Sequence, residues 1–454
     1  MRNAYIKFLF LICVTRVLAQ PNWPVVKDAA MPVVAIPSEF TTPYKQSLSV
    51  GGWEDGIFIS RDGLNLYCLY VPVDLFSLTF FGSSDATHYS SYSRGPTFGM
   101  DLITNPVGAS EWLQADILYS HRYNAVDSFT TWQISNMANP VYSEGAPQIN
   151  SDNSSVADLF VFTSNHTAAP DYSFDIALMR KTAMNPPLQE TFLPAPVNTK
   201  YKEDNPHIER IDSLNLVLFF DSPDRPNGVG QLDIWCTTSA DDGYTWTEPF
   251  QVSTLNTANS EQQPHLFKDN TLGWYIYYTG SNPTTGLPEI YRAKQGTAGD
   301  WNSWTSNELV IGAGNAYAVG EPTLTKYGDI SFVLIYADTV NGTSTDKYDA
   351  DPWFLPKVGS PLSINDHTKN VGSSLYAYPN PANETVNIEV VGAEKENYKI
   401  EISDLLGRIV YRKELTCFNE NCRSVIGITA LSKGSYFISL TGQNCRRTVR
   451  LVKE

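Results

Sequence analysis

The chain has 454 residues, of which 42% are hydrophobic and 12% aromatic, a composition that sets aside a disordered polypeptide and leaves room for two or more domains. Its formal net charge of −16 is unevenly spread: residues 1–19 carry three cationic side chains (Arg2, Lys7, Arg16), residues 375–454 carry 11 basic against 9 acidic, and the stretch between holds −21. That acidic surface repels phosphate backbones and excludes nucleic acid as a partner class.

The first residues, "MRNAYIKFLFLICVTRVLAQ", place Arg2 and Lys7 ahead of the apolar run Phe8 to Val14 and end on small residues before Gln20, the pattern of a signal peptide over residues 1–19. The run is too short to span a bilayer, and no later segment reaches the roughly 20 apolar residues a spanning helix needs, so no transmembrane segment is expected. Residues 20–49 read as an N-terminal segment, with "MPVVAIPSEF" (31–40) the strand expected to close whatever follows.

From residue 50 one pattern recurs. "WEDGIFISRDGLNLYCLYV" (53–71), "EGAPQINSDNSSVADLFVFTS" (144–164), "EDNPHIERIDSLNLVLFFDS" (203–222), "EQQPHLFKDNTLGWYIYYTG" (261–280) and "VGEPTLTKYGDISFVLIYAD" (319–338) each run from an acid through a turn into an apolar and aromatic strand. Gly56, Pro147, Pro206, Pro264 and Pro322 fall in register at spacings of 91, 59, 58 and 58 residues. A third strand follows in four units ("DILYSHR", "DIALMRK", "DIWCTT", "EIYRAK"), and in the fifth "DKYDADPWFLPKV" (346–358) replaces it. Short strands rich in Tyr, Phe, Val and Ile, broken by Gly, Asp, Asn and Pro, predict antiparallel meanders, and four strands per 50 to 60 residues predict the blades of a β-propeller over residues 50–358. Five blades are visible, and a sixth would have to come from residues 75–111.

The repeats resemble the WD40-like repeat of TolB-type propellers in their proline, the Asp62-Gly63 turn and the "DIY/DIW" third strand. "SADDGYTW" (239–246) is similar to the Asp box of sialidase-like propellers and implies a blade turn, not an activity.

After a linker at 359–374, residues 375–454 change character. "YPNPANETVNIEV", "KIEISDLLGRIVYRKEL", "GITALSKGSYFISL" and "RRTVRLVKE" resemble, in order, the C-terminal sorting domain of type IX secretion in Bacteroidota. The resemblance implies a small immunoglobulin-like β-sandwich, recognition by the type IX machinery, and delivery across the outer membrane to the surface or the medium. Cys417 and Cys422 flank "FNEN" as a candidate hairpin disulfide with Cys445 left over, while Cys68 and Cys236 lie in strands as buried thiols. No Cys or His spacing matches a metal site, and no cofactor is called for.

Chemistry is expected where the innermost strands begin, because Glu54, Asp55, Glu144, Glu203, Asp204, Glu261 and Glu321 crowd around one end of the channel. The first blade carries about 32 extra residues on that face, with His88, Tyr89, Tyr92, Arg94 and Asp101 as lid or ligand-binding candidates. His207 and His265 follow their prolines and join the ligand-binding set. The leading expectation is a glycan or a cell-envelope component bound on this acidic face. The alternative is a glycoside hydrolase using Glu144 and Glu203 with Glu54 or Asp55, since crowded carboxyls split their pKa values into an acid and a base. "EGAPQI" is similar to the general-acid segment of five-bladed glycosidases, although it lies in the second blade. A protein-interaction scaffold is the third option, and the bland reading of the repeated glutamates is a cap on backbone N–H groups.

Overall fold

The computed structural model describes residues 23–71, 96, 98, 103, 104, 111, 112, 115–122, 124, 127–135, 143–150, 158–165, 174–181, 191–338, 347–362, 374–391, 397–404, 408–417, 421–442 and 446–454. The chain divides into two compact units, Met1–Ser363 and Ile364–Glu454.

The first unit holds five blades, each an antiparallel meander. Blade 1 is built from Trp53–Ile59, Asn65–Val71, Asp116–His121 and Gln133–Ile134, and blade 2 from Glu144–Asn150, Asp158–Ser164, Asp175–Lys181 and Thr191–Phe192. Blade 3 uses Asp204–Arg210, Leu216–Ser222, Asp233–Ser239 and Phe250–Gln251, and blade 4 uses Glu261–Asp269, Gly273–Ser281, Pro288–Gln295 and Trp304–Gly312. Blade 5 takes Ala318–Leu324, Ile330–Asp338 and Lys347–Leu355 from its own repeat. The segment expected to replace a third strand there is in fact a nine-residue strand paired along its whole length with Ile330–Asp338.

The apolar second strand of each repeat is explained by its position between two neighbours. In blade 3, Leu216, Leu218 and Phe220 pack with Leu159, Val161, Ile176 and Leu178 of blade 2, while Val217 and Phe219 pack with Leu266, Ile276 and Tyr278 of blade 4. Both faces of the strand are buried, so a continuous apolar run replaces the usual alternation. Each seam has such a cluster, smallest between blades 1 and 2, where Ile117 meets Phe162 and Ala177.

The ring is closed by the N-terminal segment, but not by residues 31–40. Val33–Val34 adds a fifth strand to the outer edge of blade 4, opposite Gly312 and Ile311, and Phe40 bridges Lys357. The fourth strand of blade 5 is Tyr44–Lys45, opposite Phe354 and Trp353. Charge holds this strap: Lys27 Nζ sits 2.6 Å from both Asp349 and Asp351, Lys45 Nζ lies 3.1 Å from Asp351, and both aspartates are essentially unexposed. The two carboxylates raise the Lys27 ammonium above its ordinary value against the opposing effect of burial.

The "SADDGYTW" turn joins the third and fourth strands of blade 3. Asp241 accepts from Thr245 N and Oγ1 at 2.8 and 2.7 Å, and Asp242 takes Arg180 of blade 2 and Arg210 of blade 3. Its role here is to fasten one blade to the next.

The second unit stacks a three-stranded sheet (Ser374–Tyr378, Thr385–Val391, Asn421–Gly427) on a four-stranded one (Asn397–Asp404, Ile409–Thr416, Gly434–Thr441, Arg446–Lys453). Val386, Ile388, Ile400, Ile402, Ile438 and Leu440 fill the space between. Cys417 and Cys422 form a disulfide, and Cys68 and Cys236 are buried free thiols. Among the described residues no helix is long and apolar enough to cross a membrane.

Candidate functional site

Every innermost strand carries a β-bulge at the same place, and the residue at the bulge is left-handed in all five blades: Gly56, Ala146, Asn205, Gln263 and Glu321, with φ between 46° and 59°. Four of these are not glycine, and a non-glycine residue held there costs about 1–3 kcal/mol. This ring corrects the alignment of the first repeat by one position. Ile57, not Gly56, is the counterpart of the four prolines, and Glu54, not Trp53, is the counterpart of Glu144, Glu203 and Glu261. Blade 5 alone departs, with Val319.

Those four glutamates are buried and internally engaged. Glu203 accepts from Thr199 N at 3.1 Å and Thr199 Oγ1 at 2.7 Å and lies 3.4 Å from Arg225 Nε. Glu261 repeats the arrangement with Thr257 N at 2.6 Å and Oγ1 at 2.7 Å. The preceding asparagines, Asn198 and Asn256, each clamp the backbone of a third strand, at Ile176 and Ile234. Glu54 accepts from Val50 N and from Trp132 Nε1 at 2.6 Å, and Ser49 Oγ lies within 2.8 Å of both Glu54 and Asp351. One hydroxyl proton cannot serve both carboxylates, which agrees with the upward shift that burial and Asp351 impose on Glu54. Glu144 is fully buried and takes Ser164 Oγ at 3.2 Å. Burial pushes Glu203 up to about 7.

Just beyond the glutamates, all five blades contribute to a small recess: Gly56 and Ile57, Ala146 and Gln148, Asn205, Gln263 and Pro264, and Glu321 to Thr323. One hydrogen-bonded chain runs around its wall. Trp53 Nε1 donates to Asp55 at 2.8 Å, and Asp55 shares a carboxyl–carboxyl hydrogen bond with Glu321. Glu321 accepts from Ile57 N at 3.0 Å and Gln263 Nε2 at 2.8 Å. Gln263 N and Asn205 Nδ2 both donate to Asp221 Oδ2 at 2.9 Å. Burial and then Asp55 hold Glu321 well above its ordinary value. Asp204 is partly exposed and paired with Lys202 at 2.9 Å.

Below the recess the channel is filled. The His207 and His265 rings lie 4.2 Å apart, His207 Nδ1 is 3.3 Å from Gln148 Oε1, and Leu324 N donates to His265 Nε2. An ion pair between Arg61 of blade 1 and Glu209 of blade 3 crosses beneath them. Burial holds both histidines neutral, with His265 at about 3, so neither changes charge near neutral pH.

Thus the structure brings Glu321 to the recess, with Asp55 against it and Asp204 beside the lining residue Asn205, sets Glu54, Glu144, Glu203 and Glu261 behind it, and places His207 and His265 under it. His88, Tyr89, Tyr92, Arg94 and Asp101 lie outside the described residues. Sequence reasoning missed Asn205, Gln263 and Asp221. The first two hold the bulge position, and Asp221 ends an otherwise apolar strand where the other blades have Leu69, Thr163, Thr279 and Val333.

Residues 376–454 match the profile of the secretion system C-terminal sorting domain. The protein is secreted to the cell surface or beyond it. No curated protein matches the chain. Among solved structures, similarity in outline extends to a thermostable family-43 glycoside hydrolase (12% identity, 71% of this chain and 97% of that chain, TM-score 0.39) and an endo-arabinase from Bacteroides thetaiotaomicron (11%, 69% and 96%, 0.39). A β-fructofuranosidase from Bombyx mori is similar over 91% of this chain and 89% of its own, at 9% identity and a TM-score of 0.42. Likenesses this distant say nothing about activity.

Proposed function

We propose that the propeller is a binding module, delivered outside the cell by type IX secretion, that takes a glycan or a cell-envelope component at the acidic end of its channel. The observation that carries this reading is the recess itself, where polar groups from separate blades converge on one opening and Gln148, Asn205, Gln263 and Thr323 offer acceptors and donors suited to hydroxyl groups, with the partly exposed Asp55 and Asp204 next to lining residues in the chain. The glutamates that hydrolysis would draw on are committed elsewhere. A general acid must be free to give its proton to a leaving group, whereas Glu203 and Glu261 are each fastened to the threonine four residues upstream.

One observation favours the hydrolase as a second reading: the Asp55 and Glu321 carboxyls lie against one another, and burial followed by Asp55 holds Glu321 well above its ordinary value, the crowding that separates an acid from a base. Against it, Glu321 already serves a backbone N–H and a carboxamide. The test is a panel of polysaccharides offered to the purified protein, with binding and release of reducing ends scored separately. Binding without release supports the module, turnover abolished by Asp55→Asn establishes the hydrolase, and no binding to any member overturns both.

A further inference from the structure

We infer that the Cys417–Cys422 disulfide is a redox switch on the sorting domain. Oxidised, it keeps the edge strand Ile409–Thr416 in the sandwich and the domain competent for export, and reduction releases that strand. The inference rests on the sorting role of residues 376–454 and is independent of what the propeller binds.

The two sheets of the second unit are fastened to one another differently at their two edges. At one edge, Arg446–Lys453 of the four-stranded sheet is tied by hydrogen bonds to the segment that follows Tyr378. Ala382 N donates to Val452 O at 2.8 Å and Glu454 N to Ala382 O at 3.0 Å, while the Asn380 side chain takes Val452 N at 2.9 Å and gives to Arg450 O at 2.6 Å. At the other edge, Ile409–Thr416 ends the four-stranded sheet and Asn421–Gly427 ends the three-stranded one, each with a single neighbouring strand. These two strands are joined by the disulfide, whose cysteines are five positions apart, and by a hydrogen bond from Lys413 Nζ to Val425 O at 3.2 Å.

The strand has little else to hold it. Of its eight residues Leu415 is buried and Tyr411 half-buried, and the other six are exposed. Its ladder to Asn397–Asp404 is irregular between Ile402 and Ser403. The ion pair of Arg412 with Glu401 lies at the surface, where such pairs contribute little. The sulfur bridge therefore does at this edge what main-chain hydrogen bonds do at the other. Cys417 is 1% exposed and belongs to the core between the sheets, whereas Cys422 is half-buried, so an external thiol approaches the bond from the Cys422 side.

Closing the switch is a two-electron oxidation. Two thiols give two protons and two electrons to a protein or small-molecule disulfide, which becomes its dithiol as the S–S bond forms, and opening is the reverse exchange with a dithiol reductant. Disulfides form outside the reducing cytoplasm, so a closed switch marks a chain that has left it, as a chain bound for the surface must. Cys68 and Cys236 are buried free thiols in separate blades, so among the described residues this is the one bond a reductant can break.

The test is limited trypsin digestion of the purified full chain carrying Cys445→Ser, with and without dithiothreitol, read by mass spectrometry for cuts after Arg412 and Lys413 in mid-strand. Closing a loop this short shifts the opening equilibrium about thirtyfold in the chain-entropy account, so cleavage should be about thirtyfold faster in the reductant and return to its first rate after oxidised glutathione. The double variant Cys417→Ser/Cys422→Ser should be cut at the fast rate in both conditions and, in the native host, should fail to reach the surface or medium. All ten tryptophans precede residue 354, so their fluorescence shows whether its propeller is folded. If the variant loses the sorting domain altogether, the reversible response of the parent chain to reductant still decides. Equal cleavage of the parent with and without reductant would overturn the switch, and fast cleavage of the double variant with unchanged export would overturn its hold on export. A chain lacking residues 375–454 that still reached the surface would overturn the sorting reading instead.

Discussion

Replacing Glu203 with alanine tests whether the repeated glutamate belongs to the fold or to a reaction. The carboxylate is fully buried and receives Thr199 N–H and Oγ–H, with the Arg225 guanidinium 3.4 Å away. Truncation strands two donors and removes the counter-charge from a guanidinium that keeps the carbonyls of Pro196 and Val197 and the faces of Phe220 and Trp235. At about 1 kcal/mol for each neutral hydrogen bond and about 1.5–3 for one to a charged group, the loss comes to roughly 3.5–5 kcal/mol. With a urea dependence of about 3 kcal/mol per molar for a unit of this size, the midpoint should fall by about 1–1.5 M. Equilibrium urea unfolding followed by tryptophan fluorescence measures it, with ligand binding assayed on the folded variant. An unchanged midpoint together with abolished turnover would refute the structural assignment and move Glu203 to the chemistry.

The pH dependence of stability should carry the same residue's signature: burial lifts Glu203 from 4.5 to about 7, so its contribution is fully present below the unfolded value and lost as pH rises through about 7. Glu203→Gln should flatten that decline, which stability curves across pH 4 to 9 would reveal. At the strap, Asp351→Ala should cost about 3 kcal/mol, the low end for breaking a buried pair, because the buried Lys27 loses one of its two carboxylates and keeps Asp349, whereas removing the half-exposed Lys45 should cost about 1 kcal/mol or less. Thermal melts of the two variants give the comparison, and equal effects would show that the strap is held by something other than this pair. Mass spectrometry of protein recovered outside the native cell should find most of residues 375–454 removed, and soluble extracellular protein retaining them would count against sorting through this domain.

The five repeats were legible because each second strand is squeezed between two blades, so its composition reports burial on both faces directly. The first repeat was aligned one residue off for a local reason: Ile57 occupies the site of the prolines, and Gly56 occupies the left-handed site that elsewhere holds Ala146, Asn205, Gln263 and Glu321. A proline fixes φ and marks its position, and isoleucine gives no such mark. The closing strand was misplaced because Tyr44–Lys45 is only two residues long and lies after a proline, without the alternation that announces a strand. What selects it is the attraction of Lys27 and Lys45 to aspartates some 300 residues downstream, and single-sequence periodicity contains nothing about such pairs. The glutamate caps did leave a trace, "NTKYKE" at 198–203 and "NTANSE" at 256–261, in which the asparagine clamps one strand and the threonine binds the glutamate. Asp221 left almost none, since one acid at the end of an apolar strand looks like a strand end at the surface and is here 1% exposed.

Hydrogen–deuterium exchange of the full chain, with and without whichever saccharide binds in the panel, tests most directly the claim that the ligand sits at the channel mouth. Protection is expected at the five bulges, around residues 55–57, 145–148, 204–207, 262–265 and 320–323. Protection confined to the opposite face, at the turns around 211–215 and 241–245, would contradict it.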